Sequence, residues 1–417
     1  MSKRLDVYLH ASLVGTLGQD LHGQISFAYS AGWLQNTDAV PLSQSLPLRP
    51  EPFGGQECRG FFGGILPEEH NRELVARILG ISARNDFAML GEIGGECAGA
   101  VSFLPTGSKL PAGEPSYQPL TEADLSEILR ELPQRPLMAG RRDVRLSLAG
   151  AQSKLSVHVD EVGISLPLHG APSTHILKPA NPRFENLVQN EAFCLKLAAS
   201  AGLPSAAATI GSAGSIDYLL MARYDRERAP DGTLQRLHQE DFCQALALPS
   251  HLKYQNEGGP SLGQCFELLR GASTTPAPDL LNLLDAIVFN FLIGNHDAHG
   301  KNFSLLYSDL GGRQTTRLAP LYDLVSTAQY PDLSGKMAMK IGSKYIPADV
   351  ELRHWESLWE GAGFSRSHAR RRTIEFADKV AHRVSEMDRG DQIGSDIADR
   401  VHQRSQMILK SLARTPS

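Results

Sequence analysis

The chain has 417 residues, 41% of them hydrophobic, an ordinary share for a globular protein that excludes a disordered or fibrous chain. With 41 basic and 46 acidic side chains the formal charge is −5, which excludes coating nucleic acid through bulk electrostatics but not a local basic patch. Length alone predicts two or three domains, or one large two-lobed unit.

At the start, Leu5, Val7 and Leu9 alternate, Gly15 and Gly18 mark turns, and residues 24–29 read as another strand, so the chain opens in β-hairpins. Helical spacing follows over residues 72–79. Residues 104–120 hold Pro105, Pro111, Pro115 and Pro119 with Gly107 and Gly113, and are predicted to be a linker. Thr121 with Asp124 has the form of a capping box for a helix carrying Leu125, Ile128, Leu129 and Leu132. Beyond residue 140 strands and helices mix. Leu155, Val157 and Val159 alternate, Ile176 and Leu177 form a short strand, and a helix over residues 185–200 is stopped by Gly202 and Pro204. Residues 218–222 read as another strand. Leu280, Leu283, Leu284, Ile287, Val288, Phe291 and Leu292 define a deeply buried helix. Asn282, Asp285 and Asn290 interrupt that run, which is too short to span a bilayer, and no apolar leader precedes the first strand. Cys58, Cys97, Cys194, Cys243 and Cys265 stand singly, at no ligand or redox spacing, as expected in a reducing cytoplasm.

The buried helix runs into Gly294-Asn295-His296-Asp297-Ala298-His299-Gly300-Lys301-Asn302, ahead of an apolar strand over residues 303–307. Glycines that free the backbone at the mouth of a buried helix are where a scaffold presents reactive side chains. Asp297 and Asn302 reproduce the D-x-x-x-x-N interval of a kinase catalytic loop, in which the Asp takes the substrate hydroxyl proton and the Asn ligates magnesium. Asp323, after Pro320-Leu321-Tyr322, stands where a second metal-binding carboxylate belongs. Ala149-Gly150-Ala151-Gln152-Ser153-Lys154 is a small-residue loop that lets backbone N–H groups approach phosphate. Lys178 ends a strand, where it can pair with phosphates, and Glu191 on the next helix can orient it. Plainer readings compete. The His296–His299 cluster could bind zinc but has no fourth ligand at a standard spacing, and residues 294–301 miss the spacing of a P-loop. Lys178 alone is as readily a solubilising strand end, Glu191 a solvated face, and Ser147 a turn hydroxyl.

Taken together, Ser147-Leu148-Ala149-Gly150-Ala151-Gln152-Ser153-Lys154, Thr174-His175-Ile176-Leu177-Lys178-Pro179, Asn190-Glu191, Arg223-Tyr224-Asp225-Arg226, Asp297-Ala298-His299-Gly300-Lys301-Asn302-Phe303 and Pro320-Leu321-Tyr322-Asp323 resemble, in order, the motifs of the HipA serine/threonine kinases. Phe61-Phe62-Gly63-Gly64-Ile65-Leu66-Pro67 resembles a stretch of that family's N-terminal subdomain. The resemblance implies an α+β, two-lobed, protein-kinase-like fold with a small β-rich N-terminal subdomain. The expected segments are 1–105 for that subdomain, 106–140 for a linker and helix, 141–225 for an N-lobe and 226–417 for a helical C-lobe.

It also implies roles. Asp297 is the expected base, Asn302 and Asp323 the Mg2+ ligands, and residues 149–154, Lys178, His299 and Lys301 the ATP-binding set. Met221, Ala222, Arg223 and Tyr224 are the expected hinge against adenine, with Asp225 just beyond it. Ser147 is the expected autophosphorylation site. Members of the family are toxins paired with a helix-turn-helix antitoxin, HipB-like, on operator DNA, and similar toxins phosphorylate aminoacyl-tRNA synthetases, so growth arrest and persistence are implied. The helix carrying Arg366, Arg370, Arg371 and Arg372 is the one candidate for a direct DNA contact. A catalytically weak corepressor and a small-molecule kinase are the alternatives.

Overall fold

The structure, a computed structural model, describes residues 3–110, 113–308 and 314–413. Pro111 of the expected linker lies outside the described residues. The chain is a mixed α+β protein of two compact units: Met1–Pro179, Gly211–His251 and Leu306–Gln314 form the first, and Ala180–Ile210, Leu252–Leu305 and Thr315–Ser417 the second. These units do not follow the four consecutive segments expected from the sequence, because strands distant in sequence pair with one another and share a core.

The first unit opens on an antiparallel sheet in the order Phe53–Gly54, Ile25–Tyr29, Ser12–Gln19, Lys3–Leu9 and Val101–Pro105. The alternation at Leu5, Val7 and Leu9 turns all three inward, into the core that also holds Phe27, Phe62 and Phe103. A second sheet runs Ala208–Ala213, Ile216–Ala222, His175–Pro179, Leu155–Asp160, Gly163–Leu168 and Ser116–Pro119. Its Leu155, Val157, Leu177 and Tyr218 belong to the same hydrophobic core as Val7 and Phe27. The β-rich N-terminal region and the second sheet are therefore one folding unit. Ser116–Pro119 corrects the expected linker: its last part is an edge strand paired with Gly163–Leu168. An edge tolerates proline because one row of its N–H groups has no ladder partner. The capping box at Thr121 and Asp124 forms as expected, opening the helix Glu122–Glu131.

The second unit is helical. Its centre is Pro276–Ile293, which begins four residues before the predicted run because proline suits a first helical turn, and it ends at Gly294 with φ +76°. At 18 residues it is long and apolar enough to cross a membrane, a correction to the sequence reading, yet 72% of it is buried inside the protein as a core helix. Phe291 packs edge-on against Trp355, and Trp355 stacks near Trp359. The polar positions of the central helix are neutralised locally. Asp279 accepts from Arg317 and Ser273, and Asp285 takes a two-pronged bond from Arg372 at 2.9 and 2.8 Å.

Candidate active site

In the first unit, Ser147 ends the two-residue strand Leu146–Ser147 and is wholly buried, its Oγ donating to the Ile65 carbonyl at 3.0 Å. The loop that follows is held at both faces. Glu68 N donates to the Gly150 carbonyl at 3.2 Å, and Asn71 Nδ2 donates to the Ala151 carbonyl at 2.8 Å. Gly150 has φ +103°, and a Cβ there would lie 2.6 Å from Lys154 Nζ, so this turn needs glycine. Lys154 Nζ donates to the Ala149 carbonyl at 2.7 Å and closes the loop on itself. Ala151 is exposed, with Gln152 and Ser153 half-buried beside it. Lys178 is next to last in the strand His175–Pro179 and is 2% exposed, too deep for a mere solubilising residue.

The expected hinge, Met221 to Tyr224, and Asp225 just beyond it leave the strand Ile216–Ala222, with Ala222 paired to His175 and Arg223 N donating to the Thr174 carbonyl at 2.9 Å. Its charged side chains face inward. Arg223 binds Asp225 at 2.9 and 2.7 Å, Glu96 at 3.1 Å, the Ser173 hydroxyl at 2.9 Å and the Cys97 carbonyl at 3.0 Å. Asp225 also accepts from Gly99 N at 2.7 Å. Burial pushes Glu96 upward, but Arg223, Arg226 and Arg236 outweigh it and hold the carboxyl at about 2. Asp225, buried against Arg223 and Arg226, is likewise held below the usual carboxylate range. Arg223 and Asp225 thus brace the hinge, their side chains spent on this network.

In the second unit, residues 294–302 form a loop fixed at every turn. Asn295 Nδ2 donates to Asn290 Oδ1 at 2.8 Å, and Asp297 N donates to Asn295 Oδ1 at 3.1 Å. His299 N donates to the Asp297 carbonyl at 2.8 Å, and Asn302 N to the His299 carbonyl at 3.0 Å. Tyr322 donates to the Lys301 carbonyl at 2.6 Å, tying the approach to Asp323 onto the same loop. Asp297 is exposed, whereas His299, Lys301 and Asn302 are buried. Asn302 Oδ1 is buried with no hydrogen-bond partner among the described residues. A buried amide oxygen left so is costly unless a ligand takes it, and a hard oxygen of this kind suits magnesium. Asp323, half-buried at φ +50°, keeps an unfavourable backbone conformation of the sort found at ligand sites.

The zinc alternative finds no support. Among the described residues no three His, Cys, Asp or Glu side chains gather, and His296 Nε2 meets Arg404 at 3.0 Å. Burial, then Arg404, depresses His296 to about 4, so its ring is neutral and accepts that bond. The arginines proposed for DNA are mostly engaged within the protein: Arg366 with Glu360, Arg371 with Glu375, Arg370 with the Leu412 carbonyl and Arg372 with Asp285. Sequence reasoning missed Tyr254, whose hydroxyl donates to Asp297 Oδ1 at 2.8 Å, and Glu96, which anchors the hinge. Neither sits in a pattern that local spacing could have flagged.

Comparison with known proteins converges. The HipA N-terminal domain family matches residues 5–104, and the HipA-like C-terminal domain family matches residues 146–386. A Sinorhizobium fredii protein named "Putative kinase Y4mE" is 48% identical over 91% of both chains. The serine/threonine-protein kinase toxin HipA of Shewanella oneidensis is 28% identical over 92% of this chain and 89% of its own. The structure of the Shewanella oneidensis MR-1 HipA, HipB and operator DNA complex matches with a TM-score of 0.84 and 25% identity, covering 98% of each chain. The chain belongs to the HipA family, whose named relatives are kinases and a toxin–antitoxin component.

Proposed function

We propose that this protein is an ATP- and Mg2+-dependent protein serine/threonine kinase and the toxin half of a toxin–antitoxin pair. The observation that carries the reading is the 294–302 loop, where the exposed Asp297 carboxylate shares a rigid turn with the buried, unpartnered Asn302 Oδ1. Asp297 accepts the proton of the substrate hydroxyl as it attacks the terminal phosphoryl group. Asn302 and Asp323 hold the magnesium, which when bound offsets charge on the nucleotide phosphates. Lys178 and the backbone of residues 149–154 bind phosphate, His299 and Lys301 shape the loop, and the Met221–Tyr224 backbone receives adenine.

Ser147 is the proposed site of autophosphorylation, and an aminoacyl-tRNA synthetase the first substrate to test, with growth arrest as the consequence. The Shewanella relative was solved with HipB and operator DNA, which supports a helix-turn-helix antitoxin partner and a DNA-bound complex here. The five cysteines, buried and unbridged, suit a cytoplasmic protein. Incubation with Mg·ATP followed by intact-mass spectrometry tests the reading. The wild type is expected to gain one phosphate at Ser147, and Asp297→Asn to do so slower by about 10²-fold or more. A wild type that binds ATP yet keeps its mass would sink the kinase and favour the corepressor.

A further inference from the structure

Tyr254 lies far from the catalytic motif in sequence, but its segment is laced to that loop. Gly300 N donates to the Lys253 carbonyl at 3.4 Å, and Gln255 N to the Ala338 carbonyl at 3.1 Å, while Ala338 N in turn donates to the His296 carbonyl at 2.7 Å. Gln255 Oε1 accepts from Lys340 N at 2.7 Å, and the Tyr254 carbonyl closes its own turn by accepting from Gly259 N at 2.8 Å. The tyrosine ring meets His299 edge-on at 5.3 Å between centroids, and the Lys253 ammonium stands 5.5 Å from the ring centroid. So held, the ring directs its hydroxyl onto Asp297 Oδ1 at 2.8 Å.

A carboxylate on an exposed turn rotates freely unless one oxygen is fixed, and a wandering base loses the geometry that proton transfer needs. A lysine or arginine could fix it, but would offset the charge that makes it a base. A phenol holds one oxygen while remaining neutral, and a cation over its ring strengthens it as a donor. We propose that Tyr254 is a positioning residue for the base, fixing Oδ1 of Asp297 and leaving Oδ2 to take the substrate proton. This assignment rests on the kinase reading above.

Tyr254→Phe removes the hydroxyl and keeps the ring against His299. The single-turnover rate of autophosphorylation at saturating Mg·ATP is expected to fall about tenfold, the scale of one lost hydrogen bond, with ATP affinity by calorimetry within about twofold of the wild type. A rate within about twofold of wild type, or a loss of ATP affinity equal to the loss of rate, overturns the assignment. Urea unfolding of Tyr254→Phe, Asp297→Ala and the double variant gives a check that needs no activity, alanine leaving the hydroxyl no acceptor at position 297. The two changes are expected to be non-additive, and additivity overturns the contact. Should wild type and Asp297→Asn be equally inactive, the kinase reading fails and this role with it. An active wild type with an additive cycle removes only the role of Tyr254.

Discussion

A serine with no exposed surface, its hydroxyl given to the Ile65 carbonyl, cannot receive a phosphoryl group where it stands. For Ser147 to be modified, the segment leading into residues 149–154 must first leave its seat, breaking the bonds from Glu68 N and Asn71 to the loop carbonyls. A phosphorylated Ser147 would return only at the cost of burying a group that carries nearly two charges. Burial would then trap the loop outside, in addition to any repulsion between the new phosphate and nucleotide phosphates. Ser147→Asp should reproduce the trap and Ser147→Ala should not. ATP is expected to bind Ser147→Asp weaker by about tenfold or more, and amide hydrogens of residues 148–152 to exchange faster in it, while Ser147→Ala keeps both properties of the unmodified protein. Equal affinity and equal exchange in the two variants would show that the buried seat of Ser147 does not govern the loop.

At the scale of elements, the helix Pro276–Ile293 delivers the loop of residues 294–302, and its stop decides where that loop begins. Gly294 caps it at φ +76°, and a Cβ there would sit 2.8 Å from Arg400 Cδ and 2.9 Å from Ala328 Cβ. Gly294→Ala combines a left-handed backbone that alanine resists with a clash on two sides, and is expected to cost about 2 kcal/mol in urea unfolding. This helix was legible because its signal is local, apolar residues at helical spacing with a glycine at the stop, although its start at Pro276 was not. Asp297 and Asn302 were legible for the same reason, being one loop. Tyr254 and Asp297, 43 residues apart, and Arg223 and Glu96, 127 apart, meet only through the fold, and no run of sequence records such a meeting. The strand Ser116–Pro119 was hidden by Pro119 within it and Pro115 just before it, which an edge position accepts but a pattern reading rejects.

At the scale of the whole molecule, the shared core crosses the expected border between the N-terminal subdomain and the N-lobe, and a buried charge crosses the border between that subdomain and the segment expected as C-lobe. Glu240, wholly buried, accepts from the Ser43 hydroxyl, from Gln44 N at 2.9 Å and from Tyr307, so residues 43–44, the segment of Glu240 itself and that of Tyr307, three distant parts of the first unit, meet on one carboxyl. Burial pushes that carboxyl up to about 7, against the three hydrogen bonds that favour its charged form, and neighbouring Asp241 adds to the rise. The sign follows from comparing the two states. Below the ordinary glutamate value of 4.5 the group is protonated whether folded or unfolded, and contributes no pH dependence. Between 4.5 and about 7 the unfolded chain releases the proton while the folded protein keeps it, so stability falls as pH rises. The slope over that window is about 1.4 kcal/mol per pH unit, and above it the contribution is constant. Because other buried groups titrate over the same range, the test is a difference: urea unfolding of wild type and Glu240→Gln from pH 4 to pH 8. Glutamine keeps the acceptor for Ser43 and cannot ionise, so the wild type should lose stability relative to the variant as pH rises through the window. A difference that is flat with pH would mean that Glu240 ionises as readily folded as unfolded, and that the meeting point of the three segments is open to water.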